Sequence, residues 1–217
     1  MIPSTPGPEH TAPPPPRGPA YRIVTPRLVV RCWDPADAPA LTRAITESLD
    51  HLRAWLPWTR DEPEPVEEKA VRLRRFRALF DLDRDYTYGI FDRDGSRVLG
   101  GTGTHLRVGD GGGEIGYWIH PGAEGRGLVT EAAAAMVRAG FELHGFGWME
   151  IRCAPGNARS FAVAERLGFV HEATVHEPYE LMVWTLLAAD YPASPAARVP
   201  VEAFDAAGLP LEMAPAA

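Results

Sequence analysis

Three glycines, Gly122, Gly125 and Gly127, with Arg126 between the last two, stand where this chain is best equipped for chemistry. Glycine lets backbone approach a ligand closely. The residues before them, Glu114 to His120, are apolar and aromatic with few breaks, as a central strand requires. Pro121 ends that strand, because proline cannot donate to a ladder. From Leu128 a helical period begins, with Val129, Ala133, Met136, Val137 and Gly140 on one face. A helix start leaves N–H groups without intrahelical partners, its dipole favours anions, and Arg126 adds positive charge. Strand, glycine turn and helix start therefore describe a cradle for phosphates. Two familiar cradles fail on spacing. The lysine and Ser/Thr that follow the last glycine of a Walker loop are replaced by Leu128 and Val129, and the glycines run G-x-x-G-x-G rather than G-x-G-x-x-G.

A second stretch brings hydroxyl, amide and thiol groups. Trp148 to Cys153 reads as a strand, Pro155-Gly156-Asn157 as its exit turn, and Ala158 to Leu167 as a short helix ended by Gly168. Asn157 can cap that helix, with Ser160 in its first turn. Glu114 lies on the core strand, where a carboxylate is costly unless paired or protonated, so it is a candidate acid–base group. Cys153 reads more simply as a packed thiol than as a nucleophile. His105, His120 and His176 read as strand residues. Cys32 and Cys153 form no disulfide framework and no metal-ligand cluster, so no metal site and a reducing compartment are expected.

The glycine turn resembles the acyl-CoA signature of the GCN5-related N-acetyltransferases (GNAT), Gln/Arg-x-x-Gly-x-Gly/Ala. Glu124 stands in the Gln/Arg place, Gly127 in the central glycine place and Val129 in that of the small residue, so two anchors depart from the consensus. The second stretch adds Asn157-x-x-Ser160 and Ala-Glu-Arg-Leu-Gly-Phe169, which look like the second half of the fold in its RimJ/RimL-like branch. The opening Thr25-Pro-Arg-Leu-Val-Val-Arg31 is typical of that branch, and the resemblance spans roughly Thr25 to Leu187. It implies a mixed α/β fold with a central sheet of about seven strands, flanked by helices and splayed between the fourth and fifth strands. It also implies acetyl-CoA as acetyl donor. The pyrophosphate is then expected on Gly125, Arg126, Gly127, Leu128, Val129 and Thr130, with pantetheine beside Trp118, Ile119 and His120 and contacts from Asn157 and Ser160. A backbone N–H near Ile119 is the natural oxyanion donor, a kind of group whose removal costs on the order of 3 kcal/mol. Ser160 matches the residue that protonates the leaving thiolate in RimL-like enzymes, and Glu177 is the positional match to their base, so the base is open between Glu114 and Glu177. Trp55 and Trp58 read either as core or, as the resemblance implies, as the border of an acceptor pocket shared with Glu114.

The acceptor is an amine that must attack uncharged. Deprotonating an α-amino group of pKa about 7.7–8.0 at pH 7 costs about 1 kcal/mol, against about 4.6 kcal/mol for a lysine near 10.4. A protein or peptide N-terminus is thus expected first, as the RimJ/RimL resemblance also implies. A small amine such as an antibiotic comes second, and a non-enzymatic acyl-CoA-binding module third.

The elements that must position these groups follow in order. Residues 1–20, with Pro13 to Pro16 consecutive, read as a disordered proline-rich tail. Residues 21–187 read as the catalytic domain. Tyr21 to Trp33 reads as one strand, and Asp34, Pro35 and Asp37 start a helix through Leu41 and Ile45. A short helix carries Trp55, and a longer one begins at Val66. Two strands meet across Asp94-Gly95, and two more follow Phe169. Residues 188–217 form an extension, read as a short hairpin confined to an edge by its prolines. A net charge of -7 argues against a nucleic-acid surface. No apolar run reaches membrane-spanning length, and a cytoplasmic monomer or homodimer is expected.

Overall fold

The computed structural model describes residues 18–176 and 179–216. The proline-rich tail through Arg17 and the candidate base Glu177 lie outside the described residues. Within them, one ten-stranded sheet is flanked by helices on both faces.

The run read as a first strand is two, β1 (Arg22–Val24) and β2 (Leu28–Cys32), paired antiparallel. The break falls at Thr25-Pro26-Arg27, where proline supplies no ladder N–H. Asp34 then caps a 3-10 turn, Pro35–Asp37, accepting from the Ala36 N–H at 2.8 Å. Helices α1 (Ala38–Thr46) and α2 (Leu49–Leu52) follow, and a second 3-10 turn, Pro57–Asp61, leads to α3 (Val66–Asp81). Strands β3 (Tyr86–Asp92) and β4 (Val98–His105) form the expected hairpin, with the Gly95 N–H returning to the Asp92 carbonyl. Strand β5 (Gly112–Ile119) begins two residues earlier than its apolar run, so Gly112 and Gly113 belong to the sheet. Then come α4 (Leu128–Glu142), β6 (Trp148–Cys153), α5 (Ala158–Leu167), β7 (Val170–Val175) and β8 (Leu181–Leu187). Gly168 ends α5 in the left-handed conformation, φ +89.

The sheet order is β10-β9-β1-β2-β3-β4-β5-β6-β8-β7, with β9 (Glu202–Phe204) and β10 (Pro210–Leu211). The count exceeds seven because one expected strand is split and the C-terminal hairpin pairs with β1, leaving the proline-bearing β10 at the edge. The extension is tied down further by buried Arg138 of α4, which donates to the carbonyls of Val199 and Ala214. On one face of the sheet α4 and α5 enclose the larger apolar core; the run Ala132–Ala135, all buried, lets α4 lie close to the strands. On the other face α1 and α3 pack over Val29, Trp33 and Phe91.

All described neighbours in the sheet are antiparallel except β5 and β6. That parallel pair holds only from Gly112↔Trp148 to Glu114↔Glu150. Beyond it β5 runs on to Ile119 and β6 to Cys153 without pairing with each other, so the sheet forks there. The fork falls at the expected place, between the strand before the glycine turn and the strand before α5.

Candidate active site

The glycine turn sits at the end of β5, immediately after the fork. His120 caps the short 3-10 turn Pro121–Ala123, its Nδ1 accepting from the Gly122 N–H at 3.0 Å. That bond places the ring proton on Nε2, which faces Glu47 at 3.0 Å. His120 thus holds the turn with its side chain. Gly125 and Gly127 have φ of +68 and +70, a left-handed conformation that side chains resist. A Cβ at Gly125 would meet nothing within 4 Å, so the cradle is open on that side. The first helical return bond of α4 runs from the Glu131 N–H to the Gly127 carbonyl. The N–H groups of Leu128, Val129 and Thr130 therefore have no intrahelical acceptor and are free for an anion.

This turn is anchored from the opposite end of the chain. Glu131, buried in the first turn of α4, accepts from Thr25 Oγ1 (2.6 Å), the Arg27 N–H (2.9 Å) and Arg27 Nε (2.6 Å). Arg27 also donates to the Arg126 carbonyl at 2.7 Å. The Thr25-Pro-Arg27 break in the first strand is thus a clamp on the cradle. Glu124, which departs from the acyl-CoA signature, is drawn aside: His51 Nε2 lies 2.8 Å from one of its oxygens and Arg159 2.7 Å from the other.

The fork opens into a cavity of about 630 Å³. Tyr117 of β5 reaches across the fork to α5, donating to the Ser160 carbonyl at 2.9 Å with its oxygen 3.1 Å from Ser160 Oγ. With the phenol proton on that carbonyl, Ser160 can donate to the phenol oxygen. Burial pushes the Tyr117 phenol far above its ordinary value, so it stays protonated. Asn157 accepts from the Ser160 N–H and caps α5. Burial pushes the Cys153 thiol up as well, against a smaller opposing hydrogen bond from Ser160, so the thiolate a nucleophile needs is disfavoured.

The other wall is aromatic and charged. Trp55 and Trp58 line the cavity while 39% and 37% exposed, so they are not core residues. Trp58 meets Trp118 edge to face at 6.4 Å, and the Trp55 ring lies over Gly156 in the turn before α5. The Trp118 side chain joins this wall. Lys69 and Glu62, also lining the cavity, form a buried ion pair. Glu114 is buried and held in a two-pronged contact by Arg107, at 2.8 and 2.5 Å. His105, opposite Glu114 in the β4–β5 register, lines the same cavity with its Nδ1 2.7 Å from Asp85.

Most of the sequence candidates therefore come together. Gly125 to Thr130 form the cradle, Asn157 and Ser160 flank the fork, and Trp55, Trp58, Trp118 and Glu114 line the cavity. Three partners were not legible. Tyr117 read only as an apolar strand residue, and Arg107 and Asp85 fell in no motif. Their signal is positional: each meets a reactive side chain only once strand register is known.

The acetyltransferase (GNAT) domain family matches residues 27–170. The ribosomal protein uS5-alanine N-acetyltransferase of Escherichia coli (strain K12) is 30% identical over 157 residues, covering 71% of this chain and 80% of that relative. Two solved structures share the fold. Mycobacterium smegmatis RimJ in complex with CoA-disulfide is 21% identical, with TM-score 0.70 over 83% of this chain and 92% of that one. The microcin C7 self-immunity acetyltransferase MccE, in complex with acetyl-CoA and AMP, is 16% identical, with TM-score 0.68 over 75% and 93%. With the family matching about two-thirds of its length, and with the forked sheet and glycine cradle in place, this chain belongs to the GNAT acetyltransferase family.

Proposed function

We propose that the protein transfers the acetyl group of acetyl-CoA to the α-amine at the N-terminus of a protein or peptide. The observation that carries this reading is the fork at Glu114/Glu150, which joins an anion cradle on one side to an aromatic, charged cavity on the other. The open Gly125–Thr130 cradle fits a pyrophosphate, and acetyl-CoA, when bound, supplies an acetyl group activated as a thioester. Gly127 to Thr130 offer N–H groups to phosphate, and Arg126 adds charge. Ser160 holds a hydroxyl at the fork, where it can deliver a proton to a leaving thiolate, backed by the Tyr117 phenol. Trp55, Trp58 and Trp118 border the acceptor.

An α-amine is favoured because about 1 kcal/mol suffices to deprotonate it at pH 7, against about 4.6 kcal/mol for a lysine. The uS5-alanine relative also acts on a ribosomal protein. A small amine is the second reading, favoured by a cavity of about 630 Å³ walled by tryptophans, large enough to enclose a small molecule. A panel of peptides with free N-termini, the same peptides with blocked α-amines, and small amines, followed by free CoA release, tests the choice. Release with free-N-terminus peptides and not with blocked ones is expected. Release only with small amines reverses the order of the two readings.

A further inference from the structure

We infer that His105, oriented by Asp85, is the general base that takes the proton from the acceptor's ammonium group; this rests on the acetyl-transfer reading above and assigns a role to a residue the sequence presented as an ordinary strand histidine. Asp85 stands just before β3 and His105 at the end of β4, and strand register brings them together although twenty residues separate them. Asp85 Oδ1 lies 2.7 Å from His105 Nδ1, and Oδ2 accepts from Thr87 Oγ1 at 3.0 Å. A carboxylate only accepts hydrogen bonds, so the ring proton belongs on Nδ1 and the lone pair on Nε2.

Nε2 lies against β5 at the cavity. A Cβ at Gly116 would lie 3.2 Å from it, so the nitrogen rests over β5 at the residue before Tyr117, beyond the last paired position Glu114. Glycine at 116 makes that approach possible. The side chain is 25% exposed and lines the cavity, and no other described residue bonds its Nε2. Glu177 lies outside the described residues; within them Glu114 is the competing base, but Arg107 grips both its oxygens and Arg152 stands 4.0 Å away. Protonating it would break a charge-assisted two-pronged pair. The remaining charged residues that line the cavity also have partners, Lys69 in Glu62, Arg72 in Glu64 and Arg152 in Glu150.

The proton balance is simple. The ammonium gives one proton to Nε2, forming an imidazolium beside the Asp85 carboxylate, and the freed lone pair makes the bond to the acetyl carbon. The carbon–sulfur bond breaks with its electrons on sulfur. The second proton of the former amine replaces the one that sulfur gains from Ser160, and the imidazolium releases its proton to solvent. Amide, thiol and one free proton result.

The test is steady-state acetylation of whichever amine the wild-type protein accepts, across pH. His105→Gln is expected to lower kcat/KM by roughly 10²–10⁴-fold and to remove the acid limb of its pH profile. Acetyl-CoA is expected to raise Tm in the wild type, and an equal rise in His105→Gln shows the fold intact. His105→Ala should regain several-fold activity with imidazole in solution. Asp85→Asn, a positioning variant, should lower kcat at little change in acceptor KM, and Glu114→Gln should cost less than His105→Gln. An active wild type with a His105→Gln variant of unchanged rate and pH profile overturns the inference alone, as does a larger loss in Glu114→Gln. A wild type that releases no CoA with any amine overturns the acetyl-transfer reading, and the inference with it.

Discussion

The cradle and the acceptor cavity meet at the same fork, yet they are built in opposite ways. The cradle is backbone: free N–H groups over Leu128–Thr130, two glycines at positive φ, and a helix start, all within a few consecutive residues. The cavity is side chains, drawn from the segment around α2, from α3, β3, β4, β5 and the turn before α5. A ligand shared by a whole family suits a backbone site, because backbone does not vary with residue type. An acceptor that differs from enzyme to enzyme suits a wall of exchangeable side chains.

That contrast can be broken or sharpened by substitution. The largest effect is expected at the junction: Ser160→Ala should lower kcat by roughly 10²–10⁴-fold while acetyl-CoA still binds. Alanine keeps the helix, so α5 survives. Should Ser160→Ala retain its rate while Tyr117→Phe loses it, the proton comes from the phenol. Next, Gly127→Glu forces a side chain into φ +70 and a carboxylate onto the anion site, and should abolish the acetyl-CoA-induced rise in Tm. An undiminished rise would show that the cradle lies elsewhere.

Acid sensitivity of folding has to be told apart from that of catalysis. His144 packs against Tyr86 and Phe146, with ring centroids 4.4 and 5.2 Å away, and burial pushes its pKa down to about 4 from the ordinary 6.5. Between those values the unfolded chain carries a proton that the folded one refuses. Stability is therefore full above about pH 6.5 and declines towards pH 4, by up to about 3 kcal/mol. Urea melts of wild type and His144→Phe should diverge over that window alone. The acid limb assigned to His105 should persist in His144→Phe, since it reports on the cavity and not on folding.

On the cavity side, Trp55→Ala should raise acceptor KM several-fold with acetyl-CoA affinity kept. Because the ring is 39% exposed, its loss should cost less than the 3–5 kcal/mol of a buried tryptophan. A large loss of Tm with no kinetic selectivity would return it to the core. The smallest effect is expected at Glu124, whose charge Arg159 and His51 already hold away from the cradle. Glu124→Gln should leave acetyl-CoA affinity within about threefold, and a clear loss would place its carboxylate in the site.

The same contrast explains what the sequence revealed. Strand β6 and helix α5 are legible to the residue because Pro155, Asn157 and Gly168 punctuate them with turn and cap chemistry. The cradle is legible because its parts are contiguous. Asp85–His105 and Arg107–Glu114 are not, since each pair exists only through the register of β3, β4 and β5. The split at Thr25–Arg27 has its signal in Pro26, but its purpose, clamping Glu131, spans more than a hundred residues.

The central claim, acetyl transfer to an α-amine at this fork, is tested most directly by mass analysis of one peptide. It should carry a free N-terminal alanine and an internal lysine, and be incubated with acetyl-CoA and the protein. A single acetyl group on the alanine nitrogen is expected, formed in step with CoA release and lost in Gly127→Glu. Acetylation confined to the lysine side chain, or none while CoA is released to a small amine, would contradict it.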